Sequence, residues 1–148
     1  MPAHCRPEVH QLLLRLRLFQ DLNDMELAHL TARADFIECA PSECLIREGE
    51  QGHQLFVLLA GHARISKRAF GMEKVIQKLG PGECFGEMSL LDNKSRSASV
   101  KTIDHCKLLR LDGDYVVSLP EISAKIYRNL AFLLSQKLRH ANEILTLG

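Results

Sequence analysis

The sequence predicts a mainly β fold: a jelly-roll β-barrel with N-terminal helices, one short helix set into the β region, and C-terminal helices. Three observations predict it. Between residues 35 and 111, short β-prone runs alternate with glycine- and proline-bearing turns at near-regular spacing, the pattern of a sandwich or barrel. On either side of that region, apolar residues recur at three- and four-residue intervals, the spacing of one helix face. The 148 residues are 46% hydrophobic and 25% charged, the size and balance of one compact domain with its own core. The chain therefore reads as a single domain over residues 1–148, with a helical segment at 1–34, the barrel at 35–111 and helices at 112–148.

Taken in order, Pro7 and Glu8 open a stretch in which Leu12, Leu13, Leu16 and Phe19 keep helical spacing. Asn23 followed by Glu26 three residues later predicts a capping box, and so a second short helix. Strand runs follow at Phe36 and Ile37, Leu45 and Ile46, residues 55–59, residues 63–65, Val75 and Ile76, and residues 107–111. Pro41 with Ser42, Gly49, Gly52, Gly61, Gly71 and the pair Gly80 and Gly82 around Pro81 separate them as turns. After Asp112 the pattern is helical again, and Ser118, Pro120 and Glu121 supply a capping serine, a first-turn proline and a capping-box glutamate for one long helix. Tyr127, Leu130, Leu134, Leu138, Ala141 and Leu145 form its apolar stripe, with Lys137, Arg139 and Glu143 off that stripe. No internal repeat, low-complexity segment or linker interrupts the chain.

Composition excludes several classes. With 19 basic and 18 acidic residues the formal charge is +1, so no bulk field draws nucleic acid or an anionic membrane, and any bound anion must be held by local donors. The longest apolar run, residues 55–60, is far short of the ~20 residues that span a bilayer, and the N-terminus leads into no signal-peptide pattern. The expectation is a cytoplasmic chain with no membrane insertion of its own. Five cysteines, Cys5, Cys39, Cys44, Cys84 and Cys106, are odd in number and form no C-x-x-C pair, which favours buried or inert thiols over disulfides or zinc. The seven histidines include no H-x-H, so no metal site is expected, and the absence of G-x-S-x-G, H-E-x-x-H and Walker A patterns argues against an enzyme.

The informative stretch is residues 85–100, F-G-E-M-S-L-L-D-N-K-S-R-S-A-S-V. Gly80, Gly82 and Gly86 lead into a short helical turn, where backbone N–H groups at the turn's start can face an anion. Arg96 follows ten residues after Gly86, and its planar paired donors suit a phosphate that N–H groups already surround. Glu87 is a poor phosphate ligand but a good acceptor for a sugar hydroxyl. Phosphate plus ribose hydroxyl describes a nucleotide.

F-G-E-M-S-L-L followed by R-S-A-S-V resembles the phosphate-binding cassette of cyclic nucleotide-binding domains, the sensor domains of the catabolite activator and protein kinase A regulatory subunit type. R-E-G-E-Q-G-H-Q-L-F-V-L-L-A-G-H-A-R-I at residues 47–65 and L-G-P-G-E-C-F-G-E at 79–87 extend the resemblance over most of the chain. The resemblance implies that Phe85, Gly86, Glu87, Met88, Ser89, Arg96, Ser97 and Ala98 form the ligand site. Within it Gly86 and the backbone at Glu87 and Met88 face the cyclic phosphate, Glu87 accepts from the ribose 2'-hydroxyl, and Arg96 pairs with an exocyclic phosphate oxygen. Ser97 and Ala98 add backbone N–H contacts. Serine after the arginine leans toward cAMP, while its hydroxyl also has the reach for a syn guanine, so cGMP stays open. The final helix is implied to close over the base as a lid, with Arg139 and Asn142 as candidate lid residues against a plainly solvated alternative.

The resemblance further implies a regulator of a fused or separate effector, with no cofactor beyond the cyclic nucleotide, no direct DNA binding by this chain, and a monomer or weak homodimer. Each residue has a blander role open to it: Gly86 in a tight turn, Glu87 at a helix start, Arg96 paired with Asp92. A barrel kept for protein contacts, without nucleotide, is the alternative of a different class.

Overall fold

The computed structural model describes residues 7–92 and 94–147, with the side chains of Ser89, Thr146 and Leu147 outside the description. The chain passes through α1 (Pro7–Arg15), a 3-10 turn (Arg17–Phe19) and α2 (Asp24–Thr31). Five strands follow: β1 (Asp35–Cys39), β2 (Cys44–Ile46), β3 (Gln54–Ala60), β4 (Ala63–Ala69) and β5 (Met72–Leu79). Then come β6 (Cys84–Phe85), a second 3-10 turn (Glu87–Leu90), β7 (Ser99–Thr102) and β8 (Cys106–Asp112), before α3 (Gly113–Val117) and α4 (Pro120–Leu147). The strands make two antiparallel four-stranded sheets, ordered β1-β8-β3-β6 and β2-β7-β4-β5. This is the jelly-roll barrel with helices at both ends that the sequence predicts.

The unbroken apolar run of β3 has a simple cause. Alternate side chains of a strand point to opposite faces. Leu55 and Val57 enter the core beneath the helices, while Phe56 and Leu58 enter the core between the sheets. β8 does the same, with Leu109 and Leu111 on the helix side and Cys106 and Leu108 inside. Because both faces are covered, β3 reads as an unbroken apolar run, while β8 keeps Lys107 and Arg110 among its buried residues. β5, at the sheet edge, buries only Leu79.

The N-terminal helices cover the outer face of the first sheet through Val9, Leu13, Leu18, Phe19, Leu27 and Leu30. α2 starts on the capping box read from sequence: Asn23 Oδ1 accepts from the Glu26 N–H at 2.8 Å, and Glu26 Oε1 accepts from the Asn23 N–H at 3.1 Å. The start of α4 differs from expectation. Ser118 is the C-cap of α3, and its hydroxyl donates to the Tyr115 carbonyl at 2.6 Å, so it does not serve as the cap of α4.

The buried face of α4 is also rotated from the expected stripe. Ile122, Ile126 and Leu130 are buried, each worth about 1.5–3 kcal/mol. Leu138 and Leu145, counted in the stripe, are 63% and 78% exposed. Asn129 determines that rotation: its buried amide donates to the carbonyls of Leu18 at 2.9 Å and Gln20 at 2.8 Å, fixing α4 against the first 3-10 turn.

The four described cysteines are free thiols. Burial pushes the Cys39 thiol up to about 11 and the Cys84 thiol up to about 12, with Glu43 and Glu87 respectively adding to the rise. Of the thiols expected to be buried or inert, Cys39 and Cys106 are buried, Cys84 is partly exposed and Cys44 exposed, and Cys5 lies outside the described residues.

Candidate functional site

The site is built where β6 ends. Phe85 anchors it from inside the barrel, stacked on Phe56 with ring centroids 5.0 Å apart and planes 8° from parallel. The next residue turns the chain sharply. Gly86 has φ +82, the left-handed region, and a side chain there would meet the Gln54 carbonyl oxygen at 2.7 Å, so only glycine fits. Residues 87–90 follow as a single 3-10 turn, the short helical turn expected from sequence. α4 is tied to this turn by the Tyr127 hydroxyl, which donates to the Leu90 carbonyl at 2.9 Å.

Arg96 returns to the same place from the other side. Its backbone is fixed by the 47–50 turn: the Gly49 N–H donates to the Arg96 carbonyl at 2.8 Å, and the Arg96 N–H donates to the Glu50 carbonyl at 2.9 Å. Its guanidinium donates to the carbonyls of Gly86 at 3.2 Å and Gln54 at 2.9 Å. Arg96 therefore binds main chain at the mouth of the glycine turn, where pairing with Asp92 had been the blander expectation. Burial lowers its pKa from the ordinary value, and the negative charge of Glu87 opposes that shift. A half-buried guanidinium already oriented by two carbonyls still presents donors of the same planar fork to an anion.

These residues open into a cavity of about 690 Å³. Phe85, Gly86, Glu87, Met88, Arg96, Ser97 and Ala98 all line it, so seven of the eight residues singled out from sequence converge on one space. The eighth is Ser89, whose side chain is outside the described residues. Arg139 and Asn142 are exposed, and the wall that α4 contributes consists of Leu130, Leu133, Leu134 and Lys137.

Among the polar residues of the cavity that sequence reasoning missed are Gln77 and Lys137. Gln77 on β5 stands opposite Ile65 in the ladder and shares its inward face. Lys137 places its ammonium 3.5 Å from Glu87 Oε1. The signal for Lys137 was present, since it lies four residues after Leu133 and seven after Leu130 on one helix face. Chemically, the cavity offers a cation at a glycine turn, a carboxylate beside it, and apolar strand surface from Ile46, Ile65, Leu79 and Val100. An anionic group, a hydroxyl and a flat apolar ring would each meet a matching wall.

Comparison with known proteins gives this arrangement a family context. Residues 36–122 match the model of the cyclic nucleotide-binding domain. A CRP-like cAMP-activated global transcriptional regulator of Mycobacterium tuberculosis is 29% identical over 137 residues, covering 89% of this chain and 59% of the relative. The chain thus spans about three-fifths of that relative's length. Among solved structures, the catabolite activator protein of Thermus thermophilus superposes with a TM-score of 0.77 at 32% identity, over 88% of this chain and 62% of that one. The regulatory domain of Toxoplasma gondii PKA, crystallised with cAMP, gives 0.70 at 33% identity over 74% of this chain and 42% of its own.

Proposed function

This chain belongs to the cyclic nucleotide-binding domain family, and from that premise we propose that it acts as a sensor of a cyclic purine nucleotide, with cAMP favoured over cGMP. One observation carries the reading: the Arg96 guanidinium, held by the Gly86 and Gln54 carbonyls, faces the same cavity as Glu87 and the strand residues Ile65 and Val100. A cyclic phosphate fits the arginine and the glycine turn, with the Ser97 and Ala98 backbone as further donors. The ribose 2'-hydroxyl fits Glu87, and the purine fits the apolar strands, where Gln77 adds a polar contact to its edge.

The role is regulatory and not enzymatic, in a cytoplasmic setting and without a cofactor beyond the nucleotide. The relatives are named as regulators and a kinase regulatory domain, and among the described residues lining the cavity no nucleophile is hydrogen-bonded to a base. Output passes through α4 to a fused or separate effector. α4 touches the cassette turn at Tyr127 and Lys137, so movement of that turn on binding biases the helix. The module works as a monomer or weak homodimer.

Isothermal titration with cAMP and cGMP tests the reading. Micromolar or tighter binding, about −8 kcal/mol, is expected. Absence of heat and of any Tm shift at saturating concentrations of both would favour the competing barrel that binds protein alone.

A further inference from the structure

One charged group of the site contacts the carboxylate assigned to the ribose. Lys137 stands on the wall of α4, and its ammonium lies 3.5 Å from Glu87 Oε1. Their exposures differ sharply: the Glu87 side chain is 15% exposed and that of Lys137 61%. Cys84 lines the cavity with both groups, and Glu87 raises its thiol pKa while Lys137 lowers it. The other charged groups lining the space are Arg17, Glu83, Asp92, Lys94 and Arg96. Of the cations, it is Lys137 that approaches the carboxylate assigned to the ribose.

A carboxylate largely withdrawn from water needs a partner, and a lysine on a long exposed stem is an easily displaced one. Exposed pairs of this kind are weak, because the ammonium loses rotamer freedom on pairing and regains water on release. We propose that Lys137 is a specificity-determining residue: it holds Glu87 in the empty pocket and competes with the ribose 2'-hydroxyl for it. Lys137 thereby tempers the preference for ribo- over 2'-deoxy cyclic nucleotides, and its release frees the outer turns of α4 from the cassette when a ribose binds. This rests on the proposed nucleotide site and adds to it a residue that acts through Glu87.

The competition has a particular signature. Removing the ammonium leaves Glu87 bare in the empty protein, so a ligand that supplies the hydroxyl gains and a 2'-deoxy ligand does not. Any general attraction between Lys137 and the phosphate affects both ligands alike and cancels in their ratio. The experiment measures affinity for the tighter of cAMP and cGMP and for its 2'-deoxy counterpart, in wild type, Lys137→Met, Lys137→Arg, Glu87→Gln and the double variant Lys137→Met with Glu87→Gln.

The ribo-to-deoxy ratio is expected to rise about three- to fivefold in Lys137→Met, the range of a weak ion pair. It should remain near wild type in Lys137→Arg, collapse in Glu87→Gln, and show no further change in the double variant. A ratio unchanged in Lys137→Met while Glu87→Gln lowers it would overturn the role of Lys137 and leave the Glu87 assignment standing. A ratio unmoved by Glu87→Gln would overturn both.

Discussion

Removing the Arg96 guanidinium tests the centre of the site. In Arg96→Ala the cavity keeps its glycine turn, Glu87 and the apolar strands, and loses the cation proposed to meet the phosphate. At about 4 Å and an effective dielectric near 20, a unit charge pair is worth about 4 kcal/mol. Glu87, close enough to raise the Arg96 pKa, repels the same phosphate and reduces that gain. Losing a charged partner from a half-buried site costs about 2–4 kcal/mol, or roughly 30- to 1000-fold in Kd. The fold should suffer less, because the Gly86 and Gln54 carbonyls that lose a donor lie at the edge of a cavity that water can enter. Titration calorimetry of wild type and variant with cAMP and cGMP reads the first effect, and thermal melting the second. Adenosine, which has the base and ribose but no phosphate, is the control and should bind both proteins alike. A variant that melts normally and binds the cyclic nucleotide within about threefold of wild type would refute the electrostatic argument.

Three further outcomes follow from the packing around the site. In Gly52→Ala the new methyl would stand 3.0 Å from Nε and Nη2 of Arg96, so the guanidinium must shift a few tenths of an ångström; affinity should fall about fivefold with Tm nearly unchanged, and an unaltered Kd would contradict the contact. Asn129→Ala leaves the buried Leu18 carbonyl without its donor, at about 1–3 kcal/mol, which thermal melting should register as a Tm lower by roughly 3–12 °C; an equal Tm would sink the anchoring role. For the thiols, the folded protein favours protonated Cys39 and Cys84, so their contribution to stability is complete below the unfolded value of 9.0 and is lost as pH rises toward about 11 and about 12. Mass-mapped alkylation at pH 8 should accordingly label exposed Cys44 well before buried Cys39, and equal rates would refute the burial of Cys39.

Much of the site was legible in the sequence because its constraints are local. A glycine that must take φ +82 against the Gln54 carbonyl, with a carboxylate directly after it, announces itself at any register. Arg96 lies ten residues on and is brought back by the 47–50 turn, whose own glycine was visible. Two strands escaped notice for equally local reasons. β6 is two residues long, and β7 alternates Ser99 and Lys101 with Val100 and Thr102, so neither offers an apolar run to read.

α4 was legible as a helix but not in its rotation, and the difference lies in where the deciding contacts come from. Apolar residues occur all round its sequence, so several stripes satisfy helical spacing, among them the one through Leu134, Leu138 and Leu145 that the structure leaves largely in solvent past its first member. The choice among them is made by Asn129, whose amide reaches carbonyls more than a hundred residues earlier in the chain, and by the Tyr127 hydroxyl on the Leu90 carbonyl. Those two anchors turn Leu130, Leu133 and Lys137 toward the cavity and Arg139 away from it. A helix held by hydrogen bonds at positions 127 and 129 and solvent-exposed from residue 135 to 145 is fixed where it meets the barrel and lies in water where it leaves it. If Lys137 releases Glu87 on ligand binding as proposed, the exposed end of α4 is expected to move while its root, anchored at Tyr127 and Asn129, stays in place.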